Sequence, residues 1–353
     1  MSAALAPVWL EADAVGYIDQ RSLPHELVRR VARTVDDVVE AIHTLAVRGA
    51  PAIGVFAAYG LAVTGAALSG DEYAAAGARI RAARPTAVNL MWAIDRVLAA
   101  GPQRALDEAR AIHKEQIEID RRIGIAAVDL FPGSGNVLTH CNTGPLATGA
   151  GGTALGAIVA AFQAGKKIHV YVDETRPLLQ GARLTSFELL AHGVPATLIV
   201  DAAAAATMRA KHVRLVIVGA DRIARNGDTA NKIGTYGVAL AAAHHGIPFY
   251  VAAPRSTFDF DLASGDAIPI EERGAAEVRA FGSANVAPHD FPVYNPAFDV
   301  TPGHLVTAFI TEYGVLAPPY LESIDGLSMR PRLINVAEGP RVYAGGVHGA
   351  ERR

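Results

Sequence analysis

A chain of 353 residues exceeds what one hydrophobic core commonly supports, so two domains are expected. Hydrophobic residues make up 51% and charged ones 19%, enough for a sizeable core, and a net charge of −3 leaves no electrostatic footprint for nucleic acid or an anionic membrane. The one cysteine, Cys141, permits neither an internal disulfide nor a paired-thiol metal site.

The first residues, MSAALAPVWLEADAVGY, lack a basic stretch followed by an uninterrupted apolar one, so no signal peptide is read. No segment of about 18 residues is apolar enough to span a membrane, and the single cysteine, which leaves no internal disulfide, sets a cytoplasmic expectation. From about Val28 to Ile125 the pattern is mainly helical. TVDDVVEAIHTL opens with Thr34 followed by Asp36 and Asp37, a capping signature, and carries apolar residues at three-to-four spacing. The pattern breaks at Arg48-Gly49-Ala50-Pro51 and resumes as a helix rich in glycine and alanine. A second amphipathic helix, AVNLMWAIDRVLAA, starts after Arg84-Pro85-Thr86, and a long charged helix, RALDEARAIHKEQIEIDRRIGIAAVDLF, closes this half. PGSG at 132–135 reads as a linker, which sets the expected domains at 1–131 and 136–353.

From Asn136 onward, β-rich runs alternate with helical ones. The runs NVLTH, KKIHVYVDE, ATLIVD, LVIVGAD and PFYVAAP are apolar on both faces, as in a parallel sheet covered by helices, so the fold class is α/β. Ligands of such sheets sit beyond the carboxyl ends of the strands. That rule puts Cys141, Asp173, Glu174, Asp201 and Asp221 at one rim.

Several of these residues suit chemistry, and each has a plain alternative. Cys141 at a strand end is either a buried apolar filler or a reactive thiol; its neighbour His140 points to the opposite face of an extended strand and is a poor partner for it. TGAGGTALG, between a strand and a helix, reads as a phosphate cradle or as close helix packing, and with Asp173 some 20 residues on it also suits a dinucleotide. Asp221, among apolar neighbours, is a candidate general acid, or else a helix cap or the partner of Arg222. Asn231 and Lys232 are expected to open a helix, where amides and an ammonium converge on a phosphate or where the lysine is merely solvated. Arg48 and Arg84 each precede a proline-marked helix start and, taken singly, read as surface charges, and Gln180 follows the second strand, where it donates to an anion or caps a helix. The histidines, His244 and His245 included, show no metal-ligand spacing, so no metal is expected.

Together these segments are not generic. RGAPAIGVFAAYG, RPTAVNLMWAIDR, THCNTGPLAT, DETRPLLQGARLTSFEL, GADRIARNGDTANKIGTYGVAL, PFYVAAPRSTFD, IPIEER and VYNPAFDVTP occur in that order from Arg48 to Pro302. The set resembles the S-methyl-5-thioribose-1-phosphate isomerase family. That family also holds regulatory subunits of the guanine-nucleotide exchange factor for translation initiation, and isomerases of ribose 1,5-bisphosphate. The resemblance implies a small, mainly helical N-terminal domain, a Rossmann-like parallel-sheet C-terminal domain without nicotinamide or other cofactor, and a homodimer. It implies an aldose–ketose isomerase of methionine salvage acting on a small sugar phosphate. It places phosphate and sugar contacts on Arg48, Gly49, Ala50, Arg84, Gln180, Asn231 and Lys232, the proton donor on Asp221, and a residue assisting hydrogen transfer from C2 to C1 on Cys141. The regulatory subunits generally lack the cysteine and aspartate together; both are present here, which favours an enzyme over a sensor of sugar phosphates or nucleotides. One departure concerns CNTGPLATGAGGTALG, where the family commonly reads CNAGxLATAGYGTALG. Pro145 and the replacement of a tyrosine by Gly151 predict a wider site, which leaves 5-deoxyribose 1-phosphate open as substrate.

Overall fold

The structure is a computed structural model describing residues 6–84, 87–282, 284–331 and 333; the predicted helix start at Pro85 and Thr86 and the end of the predicted second domain lie outside them. The chain begins with three short antiparallel strands, β1 (Val8–Leu10), β2 (Val15–Ile18) and β3 (Arg29–Ala32). The sequence reading expected helix from about Val28. Strands of three or four residues are too short to display an alternation, and the third covers the start of that segment.

Helix α1 (Val35–His43) starts at the predicted cap: the Asp37 N–H donates to Thr34 Oγ1 at 3.1 Å, and the Thr34 N–H donates to the Asp37 carboxylate at 2.9 Å. Four further helices follow, α2 (Ala50–Thr64), α3 (Gly70–Ala82), α4 (Val88–Ala100) and α5 (Ala105–Ala127). Residues 52 to 62 of α2 are all buried, so this helix is apolar all round and forms the axis of the half. That burial holds its first turn in place, which matters for the site.

The second half continues with β4 (Ser134–Thr139), α6 (Pro145–Thr148), α7 (Ala154–Gln163), β5 (Lys167–Asp173), α8 (Ser186–Ala191), β6 (Ala196–Ile199), α9 (Ala204–Ala210) and β7 (Val213–Val218). Then come β8 (Arg222–Ala224), β9 (Thr229–Lys232), α10 (Thr235–His244), β10 (Phe249–Ala252), β11 (Phe258–Asp259), α11 (Ala276–Arg279), β12 (Ala280–Phe281) and β13 (Ala284–Asn285). The described elements end with β14 (Phe298–Thr301), β15 (Ala308–Thr311), β16 (Gly314–Leu316) and α12 (Tyr320–Ser328). Seven strands form the main sheet in the order β16-β15-β10-β7-β4-β5-β6, parallel throughout except for the β15–β16 pair. This is the α/β arrangement expected, and the five predicted runs are its β4, β5, β6, β7 and β10. A smaller sheet, β11-β8-β9-β14, stands beside it.

One core runs from Val8 to Ile112 and another packs α5 and α7 on the sheet. Ala105, Ala109 and Ile112 of α5 belong to the first, Ile123 and Ala127 to the second. The passage between cores therefore lies along α5, upstream of the proposed boundary at 131–136, and Ser134 and Gly135 already belong to β4. Among the described residues no helix is long and apolar enough to cross a membrane.

Candidate active site

Strand order reverses between β4 and β7: β5 and β6 lie on one side of β4, β10 and β15 on the other side of β7. Chain segments leaving such neighbours diverge to opposite faces and open a crevice at their carboxyl ends. Cys141 lies just after β4, and Asp221 just after β7. A cavity of about 1460 Å³ occupies this crevice and reaches the helical half, and its wall includes Arg48, Gly49, Ala50, Arg84, Cys141, Gln180, Asp221, Asn231 and Lys232. The fold thus brings all nine sequence-derived candidates to one space.

Cys141 is buried and held at φ +65°, a left-handed conformation that costs a non-glycine residue about 1–3 kcal/mol. Its N–H donates to Thr175 Oγ1 at 2.9 Å, and its carbonyl accepts from Thr185 Oγ1 at 2.6 Å, so both peptide groups are pinned. Thr175 itself sits at φ +66°. Burial pushes the Cys141 thiol up, with Arg48 and Lys232 opposing, so it stays protonated and weakly nucleophilic at neutral pH.

His140 faces away from the cavity, as strand alternation requires. Its Nδ1 lies 3.0 Å from Asp173 Oδ2 and its Nε2 2.9 Å from the carbonyl of Ile233. Asp173, fully buried in that pair, is no ribose ligand. The fold also brings Asp201 close, so that one ligating atom from each of the three residues falls within 4.8 Å of the others, a grouping that spacing along the chain did not suggest. The Asp201 oxygens, however, already accept the N–H groups of Thr175 and Arg176, each at 2.7 Å.

Asp221 is exposed, but into the cavity rather than to open solvent, and the protein surrounding it pushes its carboxyl up against the pull of Lys232, Arg84 and Arg48. No described side chain hydrogen-bonds to it. Arg222, its alternative partner, instead lies 3.4 Å from Asp259. A carboxyl pushed up and without a side-chain partner has the chemistry a general acid needs.

The groups around the pair include donors of the kind that suit an anion. Arg48 donates through Nε to Gln20 Oε1 at 3.1 Å and through Nη2 to Asn142 Oδ1. Gly49 has φ +89°, and a Cβ there would fall 2.2 Å from the Ala147 carbonyl oxygen, so only glycine fits. Helix α2 begins at the next residue with no side-chain cap, and its positive end borders the cavity at Gly49 and Ala50. Lys232 Nζ donates to the Ala297 carbonyl at 2.8 Å and lies 4.5 Å from the Phe298 ring centre, while Asn231 donates to Thr235 Oγ1 at 2.9 Å. These two residues end strand β9 instead of opening a helix; α10 begins three residues later, because Gly234 and the Asp299 carboxylate organise its first turn. Gln180 is buried with Oε1 unpartnered among the described residues, and Arg84 lies 3.8 Å from Glu271.

Two expectations about the glycine segment are corrected. The N–H groups of Gly151 and Gly152 do form an anion-binding loop, but the anion is internal: both donate to Asp120 Oδ2 of α5 at 2.8 Å, and Gln116 donates to Oδ1 at 2.7 Å. No phosphate or dinucleotide is cradled by those two amides. Neither Pro145 nor Gly151 lies on the cavity wall; Pro145 is buried in the first turn of α6, and a Cβ on Gly151 would point at Asp120, 3.2 Å from its Cβ. The missing tyrosine ring therefore does not widen the cavity directly. Asp120→Ala leaves the Gly151 N–H and the Gln116 amide without their acceptor, while the Gly152 N–H keeps Thr148 Oγ1 at 3.0 Å, and is expected to cost about 1–3 kcal/mol of stability in denaturant unfolding. Sequence reasoning also gave no role to Gln20, Thr175 and Glu188, whose partners are distant in the chain and leave no local pattern.

The model of the initiation factor 2 subunit family matches residues 46–318, and the chain belongs to that family. It is 52% identical over 331 residues to the methylthioribose-1-phosphate isomerase of Heliobacterium modesticaldum, covering 88% of this chain and 95% of that one. The crystal structure of 5-methylthioribose 1-phosphate isomerase from Pyrococcus horikoshii OT3 matches with a TM-score of 0.86 at 42% identity, covering 93% of this chain and 98% of that one. A structure named translation initiation factor eIF-2B, subunit delta, from A. fulgidus matches with a TM-score of 0.83 at 42% identity, covering 91% and 98%. At this level of identity to named isomerases the chain is an enzyme of the isomerase class.

Proposed function

We propose that the chain converts 5-methylthioribose 1-phosphate to 5-methylthioribulose 1-phosphate, a step of methionine salvage, with Asp221 as proton donor and Cys141 assisting hydrogen transfer. The observation that carries this reading is the placement of these two residues just beyond the carboxyl ends of the strands flanking the reversal of sheet order, in one cavity with Arg48 and Lys232. Identity near one half to named isomerases supports the substrate class.

The C1 oxygen of such a substrate carries phosphate, so no free aldehyde is available and the ring must open another way. Asp221 gives its proton to the ring oxygen as the bond from that oxygen to C1 breaks, leaving oxocarbenium character at C1. The hydrogen on C2 moves with its electron pair to C1. The C2 hydroxyl becomes a carbonyl and returns a proton to Asp221, so atoms and charge balance over the cycle. A thiol pushed up by burial is a poor base, which favours this shift over proton removal by Cys141, whose role is then to line the reacting carbons with a weakly polar surface. Turnover in deuterium oxide is expected to leave C1 of the ketose unlabelled, and Cys141→Ser to lower kcat far more than it raises KM; substantial label at C1 would favour the route through an enol phosphate. Arg48, Gly49, Ala50, Arg84, Gln180, Asn231 and Lys232 hold the phosphate and hydroxyls, where most binding energy arises.

The functional test is incubation of the purified protein with 5-methylthioribose 1-phosphate, alongside 5-deoxyribose 1-phosphate, following ketose formation by NMR. Conversion of the first is the expected result; conversion of the second alone shifts the substrate, and binding without turnover of either points to a regulatory role. We place the enzyme in the cytoplasm as a homodimer. Edge strand β6 exposes Leu198, and Leu190 and Val200 near it are exposed as well, an apolar surface suited to a second copy.

A further inference from the structure

Glu188, in α8, is fully buried and lies off the cavity wall, yet both of its carboxylate oxygens are engaged toward the site. Oε1 accepts the Leu146 N–H at 2.7 Å and Oε2 accepts Asn142 Nδ2 at 2.6 Å. Asn142 Nδ2 also donates to Thr185 Oγ1 at 3.1 Å, so both amide hydrogens point away from the cavity and Oδ1 faces the Arg48 guanidinium. Gly144 makes room for this contact: a Cβ there would fall 2.3 Å from Glu188 Oε2.

An asparagine amide can turn over, exchanging its acceptor for two donors. Turned over, Asn142 would present N–H groups to a guanidinium that only donates, and Arg48 would lose one of its two side-chain partners. What forbids this is an acceptor-only group at position 188. We propose that Glu188 is a positioning residue: its carboxylate fixes the orientation of the Asn142 amide, and Asn142 in turn aims Arg48 at the anionic end of the ligand. The inference rests on the reading above only in taking the ligand to be a phosphate ester.

Burial pushes the Glu188 carboxyl up to about 7, against the Leu146 N–H, the Asn142 amide and Arg48. Arg48 is the charged group acting on it; Arg183, in the turn before α8, spends its guanidinium on the carbonyls of Gln20, Arg21, Leu23 and Leu178. Below that pH a proton on Glu188 makes one oxygen a donor toward Asn142 and favours the turned amide. Anion binding then weakens on acidification. Protonation of Asp221 acts the other way, because it removes a negative charge from the cavity.

In Glu188→Gln the new NH₂ must face either the Leu146 N–H or the Asn142 amide hydrogens. KM for 5-methylthioribose 1-phosphate is expected to rise at least about tenfold at pH 8 with kcat within about threefold. Adding Asn142→Asp restores an acceptor facing Arg48, and the double variant should recover KM to within about threefold of the parent. A second arm uses inorganic sulfate, whose charge is constant around neutrality: by calorimetry its affinity for the parent should fall as pH drops through about 7, and Glu188→Gln should lack that fall. An unchanged KM in Glu188→Gln, no recovery in the double variant, or the same pH dependence of sulfate binding in both proteins overturns the proposal. A parent protein that does not isomerise the sugar phosphate defeats the functional reading instead, and the sulfate arm then decides this one alone.

Discussion

Asp221→Asn is expected to lower kcat by about a thousandfold or more while KM stays within about threefold. Asparagine keeps the shape and the neutrality that the protonated acid has in its cavity, so binding and folding are little disturbed, but it has no proton to give the ring oxygen. General acid catalysis by a positioned group contributes about 10²–10⁴ in rate, and here ring opening has no other route. The sign of the pH dependence follows from desolvation by the protein around the cavity. A carboxyl pushed up keeps its proton to higher pH than an ordinary aspartate, so kcat should hold through the acidic range and decline as Asp221 ionises on the alkaline side. In the asparagine variant that alkaline decline should vanish along with the rate. Near-normal turnover, or an alkaline limb that survives the substitution, removes Asp221 from the role of acid.

Arg48→Ala should act on binding. Loss of a charged donor in a largely enclosed site costs about 2–4 kcal/mol, which corresponds to a KM higher by about two orders of magnitude. The same change leaves Gln20 Oε1 and Asn142 Oδ1 without their donor, so stability should also fall by about 1–3 kcal/mol. Arg48→Lys is not conservative here: one ammonium cannot serve Gln20, Asn142 and an anion with the geometry of a planar fork. KM should rise in both variants, more in the alanine one, with thermal unfolding separating the stability effect from the loss of the phosphate contact.

What was legible from residues alone follows the range of the interactions. Thr34 and Asp37 are three residues apart and make their capping box, and the apolar runs became parallel strands because a sheet covered on both faces leaves a continuous signature. The rim holding Cys141 and Asp221 was readable too, since each closely follows such a run. The reversal of strand order between β4 and β7, which opens the crevice, is a pairing property that no local pattern carries. The glycine loop was misread for a related reason. Its geometry is that of an anion site, but the anion, Asp120, sits about thirty residues earlier on a helix whose charged face gave no hint that one carboxylate turns inward. Glu188 and Gln20 carry no local signal; each is tied to Asn142 or Arg48 across a separation visible only once the chain is folded. The first three strands escaped notice through brevity alone.

The most direct test of the site assignment is a crystal structure of the protein with 5-methylthioribulose 1-phosphate bound. The account predicts the phosphate at the start of α2, among Arg48, Gly49, Ala50 and Lys232, with C1 and C2 between Cys141 and Asp221. A sugar phosphate seated elsewhere, with Cys141 and Asp221 out of reach of its first two carbons, would contradict it.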